Sequence, residues 1–154
     1  MVRALACLAI AVAAGAAFAL TAPGTPAPRC QPTFSDAAGP FQQGGVNVPR
    51  RAKIGTGHVL LGRVVAPDCS PVARARVIIW QAGPNGYRPN GRGSVLTDRA
   101  GRFRFEGPVP SSYGREPHIH IAIFHPAYEE LGSRYVVRRG AKTGRIRLVL
   151  TPLL

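Results

Sequence analysis

An all-β fold, a single β-sandwich with an irregular N-terminal arm behind a signal peptide, is predicted by three observations. Gly and Pro are abundant, at 18 and 15 of 154 residues, which suits many short strands joined by turns. Apolar or alternating runs recur between those turns, and no stretch carries a convincing helical period. The length suffices for one domain with one modest core.

The elements follow in order. Met1-Val2-Arg3 is a short positive start, Ala4 to Ala16 is apolar and uncharged, and Ala17-Phe18-Ala19 fits the small-x-small cleavage rule. Residues 1–19 are therefore expected to be an export signal cut near Ala19. The mature protein would then lie outside the cytoplasm, with no stable membrane insertion. Residues 20–53, rich in Pro, Gly, Gln and Ala, are expected to form an extended arm and linker, a disordered linker over 20–29 and then an arm draped over the domain with Phe34 and Phe41 as its anchors. Residues 54–154 are expected to form the sandwich.

Within the sandwich, His58 to Ala66 reads as a strand, Pro67 to Pro71 as a turn, and Ala73 to Gln81 as a second strand around Val77-Ile78-Ile79-Trp80. Residues 82–93 read as a long loop carrying Tyr87. Ser94 to Asp98 and Arg102 to Glu106 flank the turn Arg99-Ala100-Gly101, with Phe103 and Phe105 on one face. An irregular segment holding Tyr128 and Tyr135 follows the central run. Arg145 to Leu150 alternates and is compatible with an edge strand.

The formal charge is +13, nearly all from arginine. The arginines are scattered, without a basic run, an aromatic platform or a recognition-helix pattern, so nucleic acid is not expected as a partner. A basic surface could concentrate anionic aromatic molecules near a cleft. Once the signal and Cys7 are removed, Cys30 and Cys69 remain. In an oxidising compartment that pair reads as a disulfide; the alternatives are two free thiols or a metal site using them, the latter disfavoured by the lone, widely spaced pair.

The chemistry centres on Pro108 to His125, and above all on His118-Ile119-His120 within an apolar strand-like run. Residues two apart in a strand share a face, so two imidazoles there can converge on one metal ion. Tyr113 and Arg115 lie just upstream on a segment marked by Pro110, Ser111, Ser112, Gly114 and Pro117. Most His-x-His pairs carry no metal; the company of Tyr113, Tyr87 and Arg115 sets this one apart. Trp80 reads as core, His58 as a strand-start residue facing solvent or the arm, and His125 as facing away from the pair. Tyr128 and Tyr135 are spare phenols.

The run G-R-V-V, S-P-V-A-R-A-R-V-I-I-W-Q-A, T-D-R-A-G-R-F-R-F and P-S-S-Y-G-R-E-P-H-I-H resembles the intradiol ring-cleavage dioxygenases, the protocatechuate 3,4-dioxygenase and catechol 1,2-dioxygenase type. The resemblance covers about residues 30–151, and its second half is the more specific. It implies Fe(III) as cofactor, held by Tyr87, Tyr113, His118 and His120. It also implies a small aromatic diol and O2 as substrates, and cleavage of the ring between the hydroxyl-bearing carbons to a muconate-type diacid. Tyr113 would leave the metal as substrate binds and take up a proton, and Arg115 would steady negative charge on the ring. Phenolates are hard donors suited to a ferric ion. No counterpart of the family's downstream glutamine is evident near Ser133-Arg134, and whether copies assemble into a homo-oligomer is left open. Two other classes explain parts of the chain. A non-enzymatic transthyretin-like or carboxypeptidase-regulatory-like binding module accounts for residues 58–110, and an exported Cu or Zn binder would use His118 and His120 alone.

Overall fold

The computed structural model describes residues 29–36, 48–112 and 114–154. The signal segment, Phe41 and Tyr113 lie outside the described residues. Two sheets stack as a sandwich, and no helix occurs among the described residues. Strands β1 (His58–Val65), β4 (Arg102–Gly107) and β7 (Thr143–Val149) form one sheet in the order β4-β1-β7. Strands β2 (Arg76–Gly83), β3 (Gly86–Leu96), β5 (His118–His125) and β6 (Tyr128–Val136) form the other in the order β3-β2-β5-β6. Only β1 and β7 run parallel.

Alternation explains the core. Leu60, Val64, Phe103, Phe105 and Leu148 point in from the smaller sheet and meet Val77, Ile79, Ile119, Ile121, Ile123 and Leu131 from the larger. The space is tight where Gly62 faces Phe103, since a Cβ there would sit 2.0 Å from that ring. In the turn before β4, the Asp98 carboxylate accepts from the amides of Ala100 and Arg102. Gly101 takes a φ of 70° that a side chain would resist.

Two segments differ from their sequence reading. Residues 82–93 are not a long loop: Pro84 and Asn85 turn the chain directly into β3, which pairs with β2 along most of its length. The Gly, Pro and Asn residues that suggested a loop are tolerated because β3 is an edge strand with an irregularity in its register between Trp80 and Ala82. The segment with Tyr128 and Tyr135 is likewise a nine-residue strand, β6, at the opposite edge. Its outward Glu and Arg residues obscure the alternation.

The open sides of the sandwich are closed by chain from the N-terminal side. Thr33 exchanges hydrogen bonds with Val149 at the β7 edge, while the amide of Asp36 donates to Gly132 O at the β6 edge. Cys30 and Cys69 lie at disulfide distance, sulfur to sulfur 2.10 Å. On the opposite side, Pro49 O accepts from the Ser94 amide at the β3 edge, and the Ile54 amide donates to Glu106 O at the β4 edge. Phe34 is not an anchor: it is 89% exposed, because sulfur and backbone contacts hold this stretch without aromatic burial.

Candidate metal centre

The outer face of the four-stranded sheet is itself largely covered. Ile78, Trp80 and Ala122 are buried there with Val48, and Tyr87 and Phe124 pack against them. The larger sheet is thus apolar on both faces, and the unbroken Val-Ile-Ile-Trp and Ile-Ala-Ile-Phe runs reflect this. At one end of this outer face the apolar surface gives way to polar side chains.

Register places them. His120 on β5 pairs with Trp80 on β2 and with Arg134 on β6, and His118 pairs with Val136. Tyr87, second residue of β3, pairs with Ala82, two positions beyond Trp80. All of these side chains share one face. The Tyr87 hydroxyl lies 2.9 Å from His120 Nε2 and 3.5 Å from His118 Nε2, and the two Nε2 atoms are 3.1 Å apart. A point equidistant from the three atoms is roughly 1.8 Å from each, a little under the roughly 2.0–2.1 Å of a metal–imidazole bond.

The surroundings prepare these atoms as donors. His118 Nδ1–H donates to Glu116 O at 2.7 Å, which fixes the tautomer and leaves Nε2 with its lone pair aimed at the cluster. His120 stacks on Trp80, centroids 5.0 Å apart and planes 6° from parallel. Its pKa falls to about 4, mainly because burial disfavours the imidazolium and further because His118 and Arg134 add positive charge, with Asp36 opposing. At neutral pH His120 is therefore a neutral base. Burial holds the Tyr87 phenol above its ordinary pKa while the Arg115 guanidinium pulls the other way. Tyr87 is thus a protonated phenol until a cation displaces the proton.

A cleft of about 330 Å³ opens beside His118, lined by Arg115, Glu116, His118, Arg134 and Val136. Arg115 is exposed at its rim, on a segment tied to the sheet through Ser111 N–H to Ala82 O and Gln81 Nε2–H to Pro108 O. Tyr87, His118 and His120 are brought together, with Arg115 close enough to act on Tyr87 electrostatically; Tyr113 lies outside the described residues. No group of three or more His, Cys, Asp and Glu side chains converges among the described residues, so a centre here draws on phenolate as well as imidazole.

The remaining aromatic residues sort clearly. Tyr135 stacks on His58 and Tyr128 meets His125 edge-on, both away from the cluster. His58 is not solvent-facing: it is buried, with Nδ1 2.8 Å from Ala141 O. Sequence reasoning missed two parts of the site. Trp80 is buried, yet it belongs to the outer cluster and walls His120. Arg134, paired with Asp36 at 3.0 Å, lies opposite His120. The i, i+2 spacing of Ile78 and Trp80 was a usable signal for the first. Only strand pairing could reveal the second.

Comparison with known proteins identifies the family. The family described as Dioxygenase matches residues 30–136. The 6-chlorohydroxyquinol 1,2-dioxygenase of Cupriavidus pinatubonensis (strain JMP 134 / LMG 1197) is 33% identical over 131 residues, covering 67% of this chain but 47% of that protein. This chain therefore spans about half the length of that curated relative. Among solved structures, the dioxygenase domain of a dioxygenase carbohydrate-binding fusion from Streptomyces sp. SirexAA-E superposes with a TM-score of 0.67 at 20% identity, covering 80% of this chain and 100% of that one. The intradiol ring-cleavage dioxygenase from Tetranychus urticae superposes with a TM-score of 0.65 at 18% identity, covering 81% and 97%. With the family match spanning residues 30–136, well over half of its length, the chain belongs to the intradiol ring-cleavage dioxygenases.

Proposed function

We propose that this chain is a non-haem ferric dioxygenase that opens a catechol-type ring between its two hydroxyl-bearing carbons, using O2 and yielding a muconate-type diacid. The observation that carries it is the meeting of Tyr87 Oη, His118 Nε2 and His120 Nε2 within 3.5 Å of one another. A plain binding module has no use for that convergence.

The donor set fits a ferric ion. Two neutral imidazoles and a phenol that ionises on binding supply hard and borderline ligands, and Tyr113 is assigned as the second phenolate from its place in the sequence. Bound there, Fe(III) would supply Lewis acidity, drawing electron density from a chelated diol so that O2 can react with the ring. The chain's own residues perform the rest. Glu116 O holds the His118 ring in one tautomer, and Trp80 holds the plane of His120. Tyr87 gives up its proton on loading and remains an anionic ligand. Tyr113 takes a proton from the incoming diol. Arg115, at the rim of the cleft, stabilises negative charge that develops on the ring.

The test is O2 consumption by iron-loaded protein over a panel of catechols and hydroxyquinols, with mass analysis of the product. A diacid heavier than the diol by both atoms of O2 is expected. A loaded protein that consumes no O2 with any diol refutes the assignment. We also place the mature chain outside the cytoplasm. Fractionation of cells expressing the full sequence should recover it there, shortened near Ala19; recovery of the full-length chain in the cytosol would contradict this.

A further inference from the structure

The arginines that look scattered in the sequence are gathered by the fold. On the outer face of the three-stranded sheet, Arg63 in the central strand pairs directly with Arg102 on one side and Arg147 on the other. One row along, Leu61 lies between Arg104 and Arg145. All five arginines are exposed, alternating with the inward Leu60, Gly62, Phe103, Phe105 and Leu148. Strand spacings of roughly 4.8 Å, and roughly 6.7 Å between alternate residues, place five guanidinium stems within an area about 10 Å by 7 Å. Like charges directly opposite across a ladder destabilise a sheet, and here two such pairs share Arg63. Glu106 is the one carboxylate on this face, and it is engaged with Lys53 and Arg104, both at 2.9 Å. Among the described residues no carboxylate pairs with Arg63, Arg102, Arg145 or Arg147.

We propose that this face docks the protein onto an anionic phospholipid surface. Between the arginines lies a shallow depression of about 540 Å³, with Leu61, Gly62, Phe103 and Ile146 contributing to its lining. Guanidinium groups match phosphate oxygens through paired N–H donors, and a sheet face presents them in a plane. Among the described residues no element projects from it to enter a nucleic-acid groove; the outward positions of these rows offer Leu61 and Val59, and the one ring in the depression's lining, Phe103, is buried and points into the core, where no base can stack on it. Aliphatic side chains among arginines suit the headgroup layer of a bilayer. The metal cluster lies on the outer face of the opposite sheet, one sandwich thickness away, so the docked protein keeps its cleft open to solvent. The face therefore acts independently of the iron chemistry and does not steer substrate into the cleft.

The test is co-sedimentation of the purified mature chain with vesicles of phosphatidylglycerol in phosphatidylcholine at low salt. Binding should be absent with phosphatidylcholine alone and should fall as salt rises. Each basic residue near an anionic bilayer raises partitioning roughly fivefold, so R63Q/R147Q should lower it about 25-fold. R138Q/R139Q removes the same charge from an exposed turn off this face and should lower it by less than about fivefold. The patch variant should melt at the same temperature as the parent or higher, since it relieves repulsion. Equal losses in the two variants would reduce the effect to net charge and overturn the proposal. So would a lower melting temperature of the patch variant, or tighter binding to a DNA duplex than to the vesicles under the same salt, with sensitivity to R63Q/R147Q.

Discussion

Replacing both cysteines, C30S/C69S, removes a tether across a sequence separation of 39 residues. In the chain-entropy account a closed loop of this size restrains the unfolded chain by about 4 kcal/mol at 25 °C. For a domain of this length each kcal/mol corresponds to roughly 2–4 °C, so the melting temperature should fall by roughly 10 °C. The folded-state consequence is local. Thr33 Oγ1 accepts from the Val149 amide and Ser35 Oγ from the Gly132 amide, holding residues 29–36 against the sheet edges, and Asp36 pairs with Arg134 opposite His120. Hydrogen exchange at the Gly132 and Val149 amides should therefore speed up in the variant, while Ile121 in the central strand β5 stays protected. Scanning calorimetry with exchange mass spectrometry measures both. A loss below about 2 °C, with Gly132 and Val149 exchanging as in the parent, would refute the view that the tether both restrains the unfolded chain and secures the edge of the site.

Further outcomes follow from the packing and the charges. G62A forces a methyl group into the Phe103 ring, 2.0 Å from two of its carbons; overpacking of this kind costs about 1–3 kcal/mol, and F103L should recover part of the loss in denaturant titrations. W80L removes the aromatic face on which His120 stacks, so iron should be retained less tightly in competition with a chelator while the strand content measured by circular dichroism is unchanged. The Glu106 carboxyl is held below its ordinary value of 4.5, chiefly by its hydrogen bonds to Lys53 and Arg104. Its contribution is present above pH 4.5 and is lost as the pH falls through the lowered value. E106Q should accordingly flatten the acid limb of the melting curve below pH 4.5, with a small amplitude because the pair is at the surface.

How much of this was legible in the sequence depends on the kind of signal. The strands β1, β2, β4 and β5 were readable because their apolar residues are either continuous or strictly alternating. Most of β3 and all of β6 were not, because these two edge strands carry Gly, Pro or charged residues along their length and so imitate loops. His118 and His120 could be paired from spacing alone, since two residues along a strand return to the same face. Tyr87 needed the family resemblance, because nothing within residues 82–93 says that the hairpin folds it back beside a strand 31 residues later. Trp80, Arg134 and the arginine face depend on which strand pairs with which. Alternation shows that Arg63, Arg102 and Arg147 each point outward, but only the β4-β1-β7 register makes them neighbours. His58 failed for a related reason. Its place at a strand start points to solvent or the arm, yet the chain returning before β7 covers it and supplies the carbonyl of Ala141 as its partner.

The most direct test of the central claim is the visible spectrum of the iron-loaded protein compared with that of Y87F. Phenolate bound to a ferric ion produces ligand-to-metal charge transfer, so the parent should be wine-red, and Y87F should lose part of the band while binding iron less tightly. A colourless ferric protein, or a Y87F spectrum identical to that of the parent, would contradict the assignment of Tyr87, His118 and His120 to one metal.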